Sequence, residues 1–348
     1  MAYTTIDDPS AYFNTVLYTG DNTANRAITG VGFQPDWGWL KQRNGTGFHE
    51  LYDSVRGVTK ALHSNATDAE VTTAALDSFD SDGITVSYDS NNSGSNGSGK
   101  NAVWWLWRGS DSSAVSNTNG SITSTVSANT TAGFSIITYT GNETQGATIG
   151  HGLGKIPEMI IIKCRSQTDA WGVYHSSVGA TKYLKLDENS ATTSTGTTVF
   201  PTTPTSSLFY LGDSGLVNGN GRTYVAYCFA EIKGYSKFGS YTGNGNADGT
   251  FVYTGFRPAF IMARSHDNAE GWNMIDNKRE GFNVSNDWLS ANSNAAENDG
   301  ATYTLIDILS NGFKWRNADI NGNGSGRNCF YMAFAEHPFV SSKGAPVT

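Results

Sequence analysis

"PDWGWLKQRNGTGFHELYD" (35–53), "PEMIIIKCRSQTDAWGVYH" (157–175) and "PAFIMARSHDNAEGWNMID" (258–276) align without a gap over nineteen positions. Two residues past each proline stand Trp37, Met159 and Phe260, and four past stand Trp39, Ile161 and Met262. Apolar side chains at both parities of the run predict a strand buried on both faces. Six past stand the bases Lys41, Lys163 and Arg264, which are expected to mark the strand's emergence into solvent. Fourteen past stand His49, Trp171 and Trp272.

Two more markers lie outside this stretch and keep the same offsets. Tyr-Thr-Gly begins at Tyr18, Tyr139 and Tyr241, which are 121 and 102 residues apart, and the prolines Pro35, Pro157 and Pro258 are 122 and 101 apart. "NAVWWLW", "TYVAYCFAE" and "CFYMAFAE" align Trp107, Phe229 and Phe334, 122 and 105 apart. Alternation through Val103–Trp105–Trp107, Val225–Tyr227–Phe229 and Phe330–Met332–Phe334 has a period of two, the signature of a strand. The expected fold is all-β, with three tandem antiparallel sandwich repeats at 12–109, 134–234 and 235–348. An N-terminal arm (1–11) precedes them, and a Ser/Thr/Asn-rich linker (110–133) separates the first two. Asp8-Pro9 reads as the capped start of a short helix over "PSAYF".

"DINGNGSGRN" (319–328) opens like a calcium loop, Asp-x-Asn-x-Asn-Gly. Its twelfth position, where a bidentate Glu belongs, is Phe330. The same Gly/Asn-rich stretch precedes the other closing strands, as "NNSGSNGSGK" and "LVNGNGRT". It therefore reads as a shared hairpin connection, rich in residues that tolerate φ > 0, and no metal is expected.

Composition agrees with short strands and tight turns: 40 Gly, 12% aromatic residues and only 16% charged. A net charge of −8 with no Lys/Arg cluster argues against nucleic acid as a partner. The longest apolar runs, "MIII" and "VWWLW", are too short to insert in a membrane as helices, and the polar start MAYTTIDDPS does not read as a signal peptide. Cys164, Cys228 and Cys329 sit in apolar runs, without disulfide or zinc spacing.

No G-x-S-x-G, H-E-x-x-H, P-loop or dinucleotide fingerprint occurs, and the six histidines have no ligand spacing. No catalytic residue, metal or cofactor is expected. One charged pair recurs, Asp53 with Arg56 and Asp276 with Arg279, while the second copy has His175 and Val178. It reads either as an exposed ion pair pinning a turn, worth ~0.5 kcal/mol, or as a polar site for a sugar hydroxyl. The first reading is preferred because surface ion pairs are common and inert. Glu231 and Glu336 read as solvated strand ends. Trp171 and Trp272 lie in polar, Gly-containing contexts and read as partly exposed aromatics able to stack on a sugar or meet a subunit. The candidate ligand-binding residues are therefore Trp171, Trp272, Asp53, Arg56, Asp276 and Arg279.

"YFNTVLYTGDN", "GVGFQPDWGWLKQRN", "LYDSVRG", "GFSIITYTG", "GHGLGKIPEMIIIK", "YVAYCFAEIKGYSKFGSYTGN" and "FYMAFAEHPF" resemble a family of virion proteins from marine bacteriophages, including cyanophages and phages of marine heterotrophs such as pelagiphages. The resemblance implies tail-fibre or appendage material with jelly-roll or lectin-like repeats. It implies assembly in the host cytoplasm into a virion, with other virion proteins as partners and a host-surface glycan as ligand. Three functions follow in order: a non-enzymatic adhesin, a capsid-decorating or tail-spacer protein that binds only virion proteins, and an enzyme acting on surface polysaccharide. Few charges and many aromatics also predict self-association, as a homotrimer.

Overall fold

Period-two runs bounded by Gly and Asn turns make nearly every ordered segment a strand. A computed structural model describes residues 3–89, 95–110, 112–194, 196–298 and 305–346. The only helical elements among the described residues are a 3-10 turn at Pro9–Ala11 and one α-helical turn at Gly215–Asn218. Asp8 caps the first by accepting a hydrogen bond from Ser10 N, although the turn is shorter than "PSAYF".

Three large antiparallel sheets share one strand order. In the first, the opening strand Phe13–Thr19 lies beside the closing strand Asn101–Trp107. Next come the proline-led strand Trp37–Gln42, the return strand His49–Asp53, a fourth strand Lys60–His63 and the short Val71–Thr72. The second sheet places Phe134–Thr140, Thr223–Phe229, Met159–Cys164, Trp171–His175, Lys182–Lys185 and Thr193–Ser194 in that order. The third places Ser236–Thr242, Asn328–Pro338, Phe256–Ser265, Asn273–Asp276 and Leu289–Ser290. Register is common too. Trp107, Phe229 and Phe334 pair with Trp37, Met159 and Phe260, which pair with Asp53, His175 and Asp276.

Each large sheet has two apolar faces with different neighbours. One face packs on a small antiparallel sheet of its own segment; in the first, Leu40, Tyr52, Trp104 and Leu106 meet Ile28, Leu76, Ile84 and Val86. The other faces of all three sheets meet one another. Trp37, Trp39, Trp105 and Trp107 join Met159, Ile161, Tyr227 and Phe229 and then Phe260, Met262, Met332 and Phe334 in one continuous core. Ring centroids lie 5.6 Å apart for Trp107–Phe334, 6.0 Å for Phe229–Phe334 and 5.7 Å for Trp37–Phe229. The three sheets thus enclose a shared centre, and the proline-led strands are buried on both faces, as their apolar runs predict.

Three expectations change. Lys41, Lys163 and Arg264 do not emerge into solvent; all three are fully buried where one segment meets the next. The polar span 110–133 is not a free spacer. Val115–Asn117 and Ser124–Asn129 pair with each other, and the latter adds to the opening strand Phe134–Thr140. Its Ser, Thr and Val residues suit a half-buried edge. Most of the aromatic residues expected to leave apolar surface pack inside one chain, although Phe251, Tyr253 and Phe282 stay exposed.

The repeat markers have a common cause. Tyr18, Tyr139 and Tyr241 donate their hydroxyls to the carbonyls of Ser95, Val217 and Gly322. The next residues, Asn96, Asn218 and Asn323, are fully buried. A Cβ on Gly20, Gly141 or Gly243 of Tyr-Thr-Gly would lie 2.2, 2.5 or 2.4 Å from the carbonyl oxygen of Gly97, Gly219 or Gly324, so only glycine fits. The supposed calcium loop is one of these turns. Asn323 Nδ2 donates to the carbonyls of Asn317 and Asn246, and Asp319 Oδ1 accepts from Asn321 N. Phe330 is buried in the shared core. Residues 91–94 of the first such turn lie outside the described residues.

Candidate functional site

The strand register places all six candidate ligand-binding residues at the seams between segments, where they are buried. Trp171 and Trp272 have no exposed surface. Trp171 Nε1 donates to the His63 carbonyl (2.8 Å) and Trp272 Nε1 to the Lys185 carbonyl (2.9 Å), each on the preceding segment. The buried bases beside them act alike: Lys163 Nζ donates to Thr67 O (3.0 Å), Arg264 Nη2 to Ser190 O (2.7 Å) and Lys41 Nζ to Asn294 O (3.4 Å). Backbone carbonyls of the neighbour solvate these cations in place of water, which is what permits their burial. Burial still holds the Lys41 ammonium down at about 8 and the Arg264 guanidinium at about 10.

The recurring Asp–Arg pair is also a seam device. Arg56 Nε donates to Asp53, whose Oδ2 also accepts from Tyr227 of the second segment (2.8 Å). Arg56 then reaches Glu70 (3.0 Å), and Glu70 reaches Arg165 of the second segment (2.8 Å). The third segment repeats the chain toward the first. Asp276 binds Arg279 (2.6 Å) and accepts from Trp105 Nε1 (2.9 Å); Arg279 binds Glu297 (2.8 Å), and Glu297 binds Arg43 (2.7 Å). Burial is the largest influence and works against both arginine charges, but Asp53 with Tyr227 and Glu70, and Asp276 with Glu297, together outweigh it and hold each guanidinium above its ordinary value. These pairs are not the exposed, weak pairs expected, and no sugar hydroxyl reaches them. Glu231 and Glu336, by contrast, are half-exposed strand ends paired with Lys237 (3.3 Å) and Arg257 (2.6 Å).

The seam between the second and third segments departs from the pattern at every position of this chain together. His175, Val178, Thr192 and His266 stand where the other seams have Asp, Arg, Glu and Arg, and Met332 stands where they have Tyr227 or Trp105. Met332 offers no proton, so a carboxylate opposite it would be buried unpaired. His175 instead donates from Nε2 to the Tyr331 carbonyl (3.2 Å) and accepts at Nδ1 from Ser177 N (3.2 Å). Neutral groups thus take the place of the ion-pair chain at this seam, while Arg264 remains its buried cation.

Polar groups not spent on seams gather in the third segment. Two adjoining cavities, about 260 and 150 Å³, share Asn273, Trp288 and Asn321 in their walls. Alternation along the return strand turns Asn273 away from the shared core, on the face opposite Met274 and with Ile275. Asn273 is only 3% exposed, yet its side-chain amide has no hydrogen-bond partner among the described residues. Asn317 Oδ1 accepts from Asp319 N, while its buried Nδ2 has no partner. Trp288, half-buried, forms part of the wall, and its segment's fourth strand is reduced to Leu289–Ser290. An indole beside amide groups that lack partners suits a neutral polyhydroxyl ligand. Asp319 is the one carboxylate among the described lining residues, where glycoside hydrolysis uses two. Trp288 escapes sequence reading because it lies past the aligned stretch, where the copies diverge. The Asn-rich run 317–323 does stand out in the sequence, but as a metal loop.

Residues 8–338 match the family described as a domain of unknown function, DUF7483, and the chain belongs to that family. The match runs through all three segments. No curated protein and no solved structure matches the chain.

Proposed function

We propose that the chain is built from three copies of one β-sandwich unit and works as a non-enzymatic adhesion protein, with the third segment's cleft holding a neutral saccharide. The observation that carries this reading is the side-chain amide of Asn273, which faces the cleft without a protein partner beside half-buried Trp288. A sugar hydroxyl entering the cleft would give that amide a hydrogen-bond partner while a pyranose face covers the indole. The seams supply rigidity, so the cleft is presented on a fixed scaffold. The likeness to marine phage virion proteins supports a place on a tail fibre or other appendage, where many weak sites act together on a host-surface glycan.

A structural role, binding only other virion proteins on the capsid or in a tail spacer, is the second reading. It is favoured by Phe251 and Tyr253, which are 45% and 51% exposed on one face of the strand Phe251–Tyr253. A glycan array probed with the wild-type chain and with Trp288→Ala separates the two. Adhesion requires binding to neutral glycans that Trp288→Ala abolishes without changing the melting temperature. Silence across the array, or equal binding by the variant, leaves the structural role. Release of reducing ends from a bound polysaccharide replaces both with an enzyme.

A further inference from the structure

The opening strands of the three segments are equivalent but are not flanked alike. Phe13, Phe134 and Ser236 occupy the same register, opposite Trp107, Phe229 and Phe334. In the first segment Tyr12 O accepts from Arg108 N and Gly20 N donates to Lys100 O, so the even-numbered residues bond the closing strand. The N–H and C=O groups of Phe13, Thr15, Leu17 and Thr19 therefore point to the other edge. The same alternation turns the backbone groups of Phe134, Ile136 and Thr138 outward in the second segment. There a strand covers them, with Asn129, Ser127 and Thr125 standing opposite Phe134, Ile136 and Thr138.

That covering strand is held in the seam between the first and second segments. Ser127 Oγ accepts from Ser110 N (3.2 Å), and Asn129 Nδ2 donates to Gly109 O (2.9 Å). The seam between the second and third segments is covered more briefly, by an isolated bridge from Ile232 to Ser236. The third and first segments are not consecutive, so no such connection crosses their seam. A cavity of about 380 Å³ lies there, with Phe13 and Thr15 on one side and Glu336 and His337 on the other. Because Phe334 is the counterpart of Trp107, Glu336 and His337 are the counterparts of Gly109 and Ser110, the two residues that hold the covering strand in the first seam.

The edge beside this cavity is open. Among the described residues Phe13–Thr19 pairs with Asn101–Trp107 alone. Side chains stand in for a neighbouring strand at two groups: Asn14 Oδ1 accepts from Thr15 N (2.9 Å), and Arg26 Nη1 donates to Thr19 O (2.7 Å). Leu17 has no such substitute; its backbone N–H and C=O meet no partner among the described residues, and it is 37% exposed. A row of outward backbone groups at strand spacing is a template for one more strand.

We infer that this edge docks an extended strand of a partner protein, which adds antiparallel to Phe13–Thr19 as Ser124–Asn129 adds to Phe134–Thr140. The partner is a polypeptide because what the edge offers is main-chain donors and acceptors, which give affinity while alternate side chains give specificity. Its side chain opposite Thr15 is small and polar, as Ser127 is opposite Ile136. Its next side chain is apolar and lies beside half-buried Val16, as Val126 lies beside Ile137. The site shares no lining residue with the Trp288 cleft and does not depend on the saccharide reading.

The test uses the chain's own covering strand as the probe: a fluorescent peptide of residues 121–131, SITSTVSANTT, titrated with the full chain and read by anisotropy. Wild type should bind it saturably, and the peptide with Ser127→Pro, which lacks the central N–H, should bind about tenfold more weakly. In the chain, Leu17→Pro removes an outward N–H and no bond to the closing strand, a change that an edge strand tolerates. It should weaken binding about tenfold while melting near the wild-type temperature. Amide exchange followed by NMR reads the same edge without a substitution. The peptide should slow the Leu17 amide and leave Val16 and Tyr18, which already bond the closing strand, unchanged. No saturable binding, equal affinity of Leu17→Pro, or altered exchange at Thr138 in place of Leu17 overturns the assignment, the last because the peptide then displaces the chain's own strand. Leu17 exchange that slows with protein concentration alone overturns the choice of partner in favour of a second copy. If Leu17→Pro does not fold, the exchange experiment decides alone.

Discussion

Acid should weaken the seam between the second and third segments through His175. Its ring is committed as the neutral tautomer, because Nδ1 accepts from Ser177 N and Nε2 donates to Tyr331 O. A second proton on Nδ1 would face the Ser177 N–H and bury a cation in the core, where Phe330 lies 4.5 Å away. The other titratable group packed on Phe330 is His266, which adds like charge; Lys182 and Arg264 also face His266, and only Asp267 opposes them there. Burial, reinforced by His266 and only partly offset by the Tyr331 carbonyl, lowers His175 to about 4. In the unfolded chain it titrates near 6.5. The folded value is the depressed one, so stability is complete above pH 6.5 and is lost as pH falls through 4. The full loss is about 3.4 kcal/mol, of which about 2 kcal/mol is reached by pH 5. Urea midpoints measured at pH 8 and pH 5 give the change for wild type. His175→Asn keeps an acceptor for Ser177 N and cannot titrate, so its change between the two pH values should be smaller by about 2 kcal/mol. Buried His49 and His63 contribute equally to both proteins and cancel. An equal pH dependence in the two proteins would refute the account of this seam.

Arg279→Ala should cost about 3–5 kcal/mol by stranding the buried Asp276 carboxylate, and Asp276→Asn in that background should recover part of it; chemical denaturation reads both. Gly141→Ala puts a methyl group 2.5 Å from the Gly219 carbonyl oxygen and should destabilise by about 1–3 kcal/mol, seen as a lower melting temperature. Trp272→Ala should cost about 3–5 kcal/mol, whereas half-buried Trp288→Ala should cost under about 1 kcal/mol, so thermal melting separates the structural tryptophan from the one assigned to the ligand.

The three sheets were legible in the sequence because period-two alternation and the shared Tyr-Thr-Gly, proline and closing-strand markers are local signals. Their strand order and register agree with the spacing of those markers residue for residue. What alternation cannot show is what lies against each face. An apolar strand reads the same whether a sandwich partner or another segment covers it, so closure around one centre was not visible. Hence Trp171, Trp272 and the Asp–Arg pairs read as surface groups. Their polar surroundings are real, but these are carbonyls, tyrosine and tryptophan of the adjoining segment. Asn273 gave no signal, because a polar residue beside Trp272 on a strand is what any solvent-facing position looks like.

Closure around a single core is the central claim, and native-state hydrogen exchange tests it most directly. The proline-led strands Trp37–Gln42, Met159–Cys164 and Phe256–Ser265 all contribute to the same buried cluster. No segment can then expose its central face without exposing the others, so the slowest amides of the three strands should open only in global unfolding, with one common free energy and one denaturant dependence. If one strand exchanges with a lower free energy and a smaller dependence while the other two keep theirs, the segments are independent sandwiches and the shared core does not govern the fold.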